Sequence, residues 1–156
     1  MLKDNFDDLK QLIEVTHSYK KEITIVPYKG ADPTLAPTPK DVVELTHYII
    51  NNGFDYAVID DSAVRAYIAS YTGSEKFVGC SACDLIVRVK ANGQVTPCPF
   101  LSTEICNVYD PQIKQKIASY RQLLLTDYPE ICKKCVNKLS CGGCKASSNL
   151  HCPQTT

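Results

Sequence analysis

Apolar residues in the first half of the chain follow two alternating periods. Phe6, Leu9, Leu12/Ile13 and Thr16 share one face of a helix that Asp4 or Asn5 can cap and that ends near Lys20 and Lys21. Residues 22–28 (Glu22-Ile-Thr-Ile-Val-Pro-Tyr28) form a short, nearly continuous apolar run with β-branched members. This predicts a strand buried on both faces of a parallel sheet. Residues 29–39 carry Pro33, Pro37 and Pro39 and read as an ordered loop. Thr38, Pro39 and Asp41 then open a helix with a hydroxyl at N-cap, proline at N1 and an acid at N3. Its stripe is Val42, Leu45 and Ile49, with Val43 and Ile50 beside it, and Asn52-Gly53 stops it. Residues 54–59 predict a second strand. Asp60-Asp61-Ser62 can cap a third helix that runs to Tyr71 and closes at Gly73.

Helix–strand–helix–strand–helix is an α/β order with crossovers long enough for parallel pairing. Two parallel strands do not make a stable sheet by themselves, so this half reads as the tail of a larger barrel or sheet. It contains no phosphate loop, nucleophile elbow or dinucleotide fingerprint. His17 and His47 fall within helices and read as surface or structural residues.

The second half is patterned differently. Residues 85–90 and 94–96 flank Asn92-Gly93, the strongest short-range hairpin signal. That hairpin brings Cys98, at its exit, beside Cys83, at its entry. Asp110-Pro111 starts a helix with Ile113, Ile117, Tyr120 and Leu124 on one face, through about Thr126. Residues 132–144 then place four thiols (Cys132, Cys135, Cys141 and Cys144) around Gly142 and Gly143, with His151-Cys152 after them. The two glycines permit positive φ and a close backbone approach.

Composition sharpens the contrast. All nine cysteines of the 156 residues lie from Cys80 onward. The formal net charge is zero, so no long-range field attracts nucleic acid, and neither nucleic acid nor a membrane is expected as a partner. No apolar run reaches spanning length, and residues 1–8 lack the layout of a signal peptide. A cytoplasmic location is therefore expected, where disulfides rarely persist and dense thiols bind metal. Lys133, Lys134, Lys138 and Lys145, with no acid between 132 and 145, could balance thiolate charge or could simply be solvated.

At this point the spacing resembles the SPASM domain, the auxiliary iron–sulfur region at the C-terminus of many radical SAM enzymes. Cys83, nine residues, Gly93, four residues and Cys98 satisfy its first part, with Cys80 also in the window. Cys132-x2-Cys135-x5-Cys141 satisfies the second. Cys144 departs by one residue, because two residues separate it from Cys141 instead of three. The resemblance covers about residues 79–152. It implies a division into residues 1–78, the end of a partial (β/α)6 radical SAM barrel, and residues 79–156, a small Cys-rich α+β SPASM domain with a β-hairpin.

Carried over by position, the resemblance implies two 4Fe–4S clusters. The first would sit on Cys80, Cys83, Cys98 and Cys144, and the second on Cys132, Cys135, Cys141 and Cys152. Cys106 stands where similar members have Gly and is the expected non-ligand. In sulfatase-maturing members an acidic base directly follows the residue matching Cys98. Pro99 stands there in this chain, which argues against that chemistry.

The Cys-x3-Cys-x2-Cys signature of the S-adenosylmethionine-cleaving cluster is absent from these residues. The expectation is thus a C-terminal portion or stand-alone remnant. S-adenosylmethionine would enter only through a missing N-terminal half or partner chain, with a peptide as a possible substrate. Two rivals from other classes are a zinc-stabilised structural or interaction module and a docking domain for a separate radical enzyme.

Overall fold

Local signals account for most of the helical boundaries. The structure, a computed structural model, describes residues 1–30, 32–73, 79–128, 130–136, 138–146 and 152. Helix α1 is Phe6–Ser18, with Asn5 as N-cap and Leu9 and Ile13 buried. Helix α2 is Pro39–Asn51. The Thr38 hydroxyl accepts from the Asp41 amide, and the Asp41 carboxylate accepts from the Thr38 amide. This reciprocal capping, with Pro39 at N1, satisfies amides that the first turn leaves unpaired. Val42, Leu45 and Ile49 face the core as the periodicity predicts. Gly53, at φ 65°, ends the helix.

Strand β1 (Ile23–Ile25) pairs in parallel with β2 (Ala57–Ile59), Ile23 opposite Ala57 and Ile25 opposite Ile59. Both strands are shorter than their apolar runs. The expectation that the first strand is buried on both faces also fails. Ile25 and Ile59 are buried, whereas Thr24 and Val58 alternate outward and are exposed. The helices cover one face of the two-stranded sheet. Leu9, Ile13, Ile25, Val42, Leu45, Ile49, Ile59 and Val64 form a single cluster there. Each such buried aliphatic side chain contributes roughly 1.5–3 kcal/mol.

Helix α3 (Ser62–Thr72) starts at Asp61, whose Oδ1 accepts from the amides of Ala63 at 2.8 Å and Val64 at 3.4 Å. It ends at Gly73, φ 68°. His47 and His17 are held by local partners: His47 Nε2 lies 3.0 Å from the Tyr67 hydroxyl, and His17 packs edge-on against Phe54.

In the Cys-rich half, β3 (Arg88–Val89), β4 (Gln94–Thr96) and β5 (Cys106–Asn107) form an antiparallel sheet in the order β3-β4-β5. The β3–β4 pair turns through Asn92-Gly93, with Gly93 at φ 81°. Helix α4 (Ile113–Thr126) lays Ile117, Tyr120 and Leu124 against Cys80, Cys83 and Cys98. Two single turns follow, α5 (Glu130–Lys133) and α6 (Lys138–Cys141), and α6 packs on α3. No helix among the described residues is long and apolar enough to cross a membrane.

Candidate metal centre

The cysteines are brought together by three local devices. The first is the turn that carries Cys80 and Cys83. Cys83 adopts φ 59°, a left-handed conformation that costs a β-carbon residue about 1–2 kcal/mol. Its amide donates to Ile86 O at 2.8 Å and to Pro97 O at 3.3 Å, fastening the hairpin's entry to its exit beside Cys98. Arg121 of α4 clamps the same turn, donating to Cys80 O at 2.6 Å and Ala82 O at 3.0 Å. Cys83 and Cys98 are buried with Ala82 and Leu124, and Cys80 packs against them.

The second device is the pair of left-handed glycines, Gly142 at φ 67° and Gly143 at φ 65°. They reverse the chain between Cys141 and Cys144, as the sequence leads one to expect. The third is helix α3, whose small residues Ala63 and Ala66 form a cluster with Cys141 and Cys152. The Cys141 thiol donates to Ser62 O at 3.6 Å.

The thiols accordingly fall into two neighbourhoods. Cys80, Cys98 and Cys144 line one cavity, together with Lys29, Asp61 and Ser62, and Cys83 packs behind it. Cys132 lies beside Cys135, whose amide donates to Cys132 O at 3.1 Å. Cys141 feels the Cys152 and Cys132 thiols. Cys106 is buried in β5, paired opposite Val95. His151 lies outside the described residues. No disulfide joins any of the nine cysteines. Among the described residues no three His, Cys, Asp or Glu side chains are gathered closely enough to hold one metal ion. Ligation by either neighbourhood therefore requires its thiols to close on the metal and to release their protons.

Burial sets the resting state of these thiols. It pushes Cys141 up to about 12; the Gly143 amide opposes the rise, while Cys152, Cys132 and Asp61 add to it. Cys83 is pushed up to about 11 by burial, with Arg121 opposing and Cys98, Cys80 and Cys106 adding. Cys132 is raised by burial and by Cys135, with Lys145 pulling the other way.

Of the four local lysines, Lys145 bears on the thiols in this way. Burial lowers its ammonium, against the pull of Asp127, Cys132 and Cys80. Lys133 pairs with Glu130, Lys138 reaches Lys133 O, and Lys134 is exposed.

A buried cation from the other half of the chain also reaches a thiol. Lys29 Nζ lies 3.6 Å from Cys144 Sγ and 3.0 Å from Asp61 Oδ2, and the Lys29 and Asp61 side chains are 6% and 0% exposed. Burial works to lower the Lys29 ammonium, but Asp61 and Cys144 outweigh it and hold it above the usual lysine range. Sequence reasoning missed Lys29 and Asp61. Both follow the carboxyl ends of the parallel strands β1 and β2, where α/β sheets place their ligand crevices.

No protein-family model matches the chain, and no curated protein matches it. It is similar to a solved structure of native anSMEcpe with bound AdoMet and Cp18Cys peptide, at 17% identity and a TM-score of 0.54. The likeness covers 99% of this chain and 51% of that one, so the chain spans about half the length of this neighbour. At that identity the likeness shows the fold: a mixed α/β architecture shared with part of the larger protein.

Proposed function

We propose that the chain binds two 4Fe–4S clusters as the auxiliary iron–sulfur portion of a radical SAM/SPASM protein. Cys80, Cys83, Cys98 and Cys144 would hold one, and Cys132, Cys135, Cys141 and Cys152 the other. The observation that carries this reading is the gathering of distant thiols into two neighbourhoods, buried except for the half-buried Cys80 and Cys135, with no disulfide among them. The likeness in fold to anSMEcpe, solved with bound AdoMet and a peptide, supports it.

The donor set also fits such a group. Ser62 lines the cavity of the first neighbourhood, and its hydroxyl oxygen is buried with no hydrogen-bond partner. A hydroxyl in that setting can donate to a cluster sulfur. Gly143 already directs its amide at Cys141, as thiolate ligation requires.

When bound, such clusters supply one-electron transfer at potentials set by thiolate ligation, burial and hydrogen bonds to sulfur. The chain's own residues hold the thiolates, exclude water through Leu124, Ala63 and Ala66, and present donors to sulfur. A four-thiolate site leaves no iron open to a substrate, so electron relay or substrate positioning for peptide or small-molecule maturation is the role proposed. S-adenosylmethionine would be bound by a radical SAM half beyond these residues.

Anaerobic reconstitution with iron and sulfide tests the proposal. The expected product is brown, absorbs broadly near 400 nm and carries about eight irons per chain, the content of two four-iron clusters. A colourless chain holding stoichiometric zinc and taking up no iron would replace this reading with the structural zinc module.

A further inference from the structure

The Lys29 ammonium has three neighbours. Asp61 Oδ2 lies at 3.0 Å, Cys144 Sγ at 3.6 Å and the ring of Phe100 at 4.9 Å. The Asp61 carboxylate is itself fixed, because its other oxygen caps α3 through the Ala63 and Val64 amides. Taking a lysine and an aspartate out of water is costly, and stability alone rarely favours it over apolar packing. The arrangement delivers a positive charge, locked to a rigid helix end, onto the sulfur of Cys144.

We propose that Lys29 is a positioning residue for the first thiol set: its ammonium, held by Asp61, donates to Cys144 and raises the reduction potential of the metal centre there. This inference rests on the cluster-binding reading above. Cys144 must be a thiolate when it ligates, which makes the contact a charge-assisted hydrogen bond. Reduction then adds one electron from an external low-potential reductant, with no bond broken and no proton taken up. The added negative charge is stabilised by a fixed cation at hydrogen-bond distance from a ligand sulfur. Lys145, which bears on both Cys132 and Cys80, already engages Asp127 O and is not equivalent.

The test uses the full chain reconstituted anaerobically, with iron counted before any potential is measured. Lys29→Met removes the charge and the donor at similar length. It should keep about eight irons while one of the two reduction waves moves to lower potential. At least a tenfold loss in the reduced-to-oxidised ratio at fixed potential is expected, which is 59 mV for a one-electron couple.

Both waves unmoved with iron intact would overturn the proposal and leave cluster binding standing. No iron in the wild-type chain would instead defeat the underlying reading. If Lys29→Met does not hold iron, a second measurement decides. Wild-type chain labelled with 15N at the lysine ε position should show a hyperfine coupling to the reduced cluster that disappears in Lys29→Arg. A wild-type spectrum without it, or one unchanged in Lys29→Arg, overturns the assignment.

Discussion

The amide of Cys83 donates to the carbonyl of Pro97, at 3.3 Å, one residue before Cys98. A backbone hydrogen bond thereby holds together two thiols fifteen positions apart, and the Asn92-Gly93 turn sets the register that allows it.

That dependence makes Gly93 sensitive. It sits at φ 81°, and a β-carbon there would meet Asn107 Nδ2 at 3.0 Å. Gly53 is also left-handed, at φ 65°, but has nothing within 4 Å of the same position. Gly93→Ala should cost about 1–3 kcal/mol and more than Gly53→Ala, as read from urea midpoints of the metal-free chain. Equal losses would mean that the Asn107 contact yields freely.

The cysteines should separate by substitution. Cys106→Ala should leave the iron content of reconstituted chain unchanged, because Cys106 occupies a strand position opposite Val95. Cys135→Ala or Cys141→Ala should each lose about four irons and loosen the region they hold. Colorimetric iron assays on the three variants check this, and a Cys106→Ala loss matching that of Cys141→Ala would refute the ligand assignment.

Metal-free chain should weaken in alkali. The Cys141 thiol is pushed up to about 12 in the fold, whereas an unfolded thiol ionises near 9. The folded state thus binds this proton more tightly. Its contribution is complete below about pH 9 and drains as pH rises towards 12. Denaturant unfolding at about pH 8 and about pH 10.5 should differ by 1–2 kcal/mol. Cys141→Ser, which does not titrate there, should reduce the difference without abolishing it, because burial also pushes Cys83 up to about 11.

Incubated alone with S-adenosylmethionine and dithionite, the reconstituted chain should form no 5′-deoxyadenosine. Cleavage needs a cluster with one iron left open by three cysteines in the Cys-x3-Cys-x2-Cys spacing, which these residues lack. Turnover by the isolated chain, measured by chromatography, would contradict this; turnover only with a separate radical SAM half would reveal a split enzyme.

What the sequence made legible was local. Thr38 and Asp41 cap α2 because capping acts over three residues. Gly142 and Gly143 take positive φ because only the chain between Cys141 and Cys144 determines that turn. The parallel pairing of Ile23–Ile25 with Ala57–Ile59 followed from crossover length. Burial of both sheet faces did not follow, since an apolar run records what a strand tolerates and not what covers Thr24 or Val58. The lysines beside the thiols in sequence proved mostly solvated or paired elsewhere. Lys29, which is at hydrogen-bond distance, is 115 positions from Cys144, and no periodicity encodes that separation.

The first turn of α3 leans on both thiol neighbourhoods. Asp61 joins it to Lys29 and so to Cys144, while Ser62 O receives Cys141. The amides of Ala63 and Val64, bound to Asp61 Oδ1, therefore sit where tightening on either side is felt. Their hydrogen-exchange rates should therefore report loading of either set: ligation of Cys144 strengthens the Lys29–Asp61 side, whereas ligation of Cys141 withdraws the thiol proton from Ser62 O, so the two steps can be told apart without labelling a cysteine.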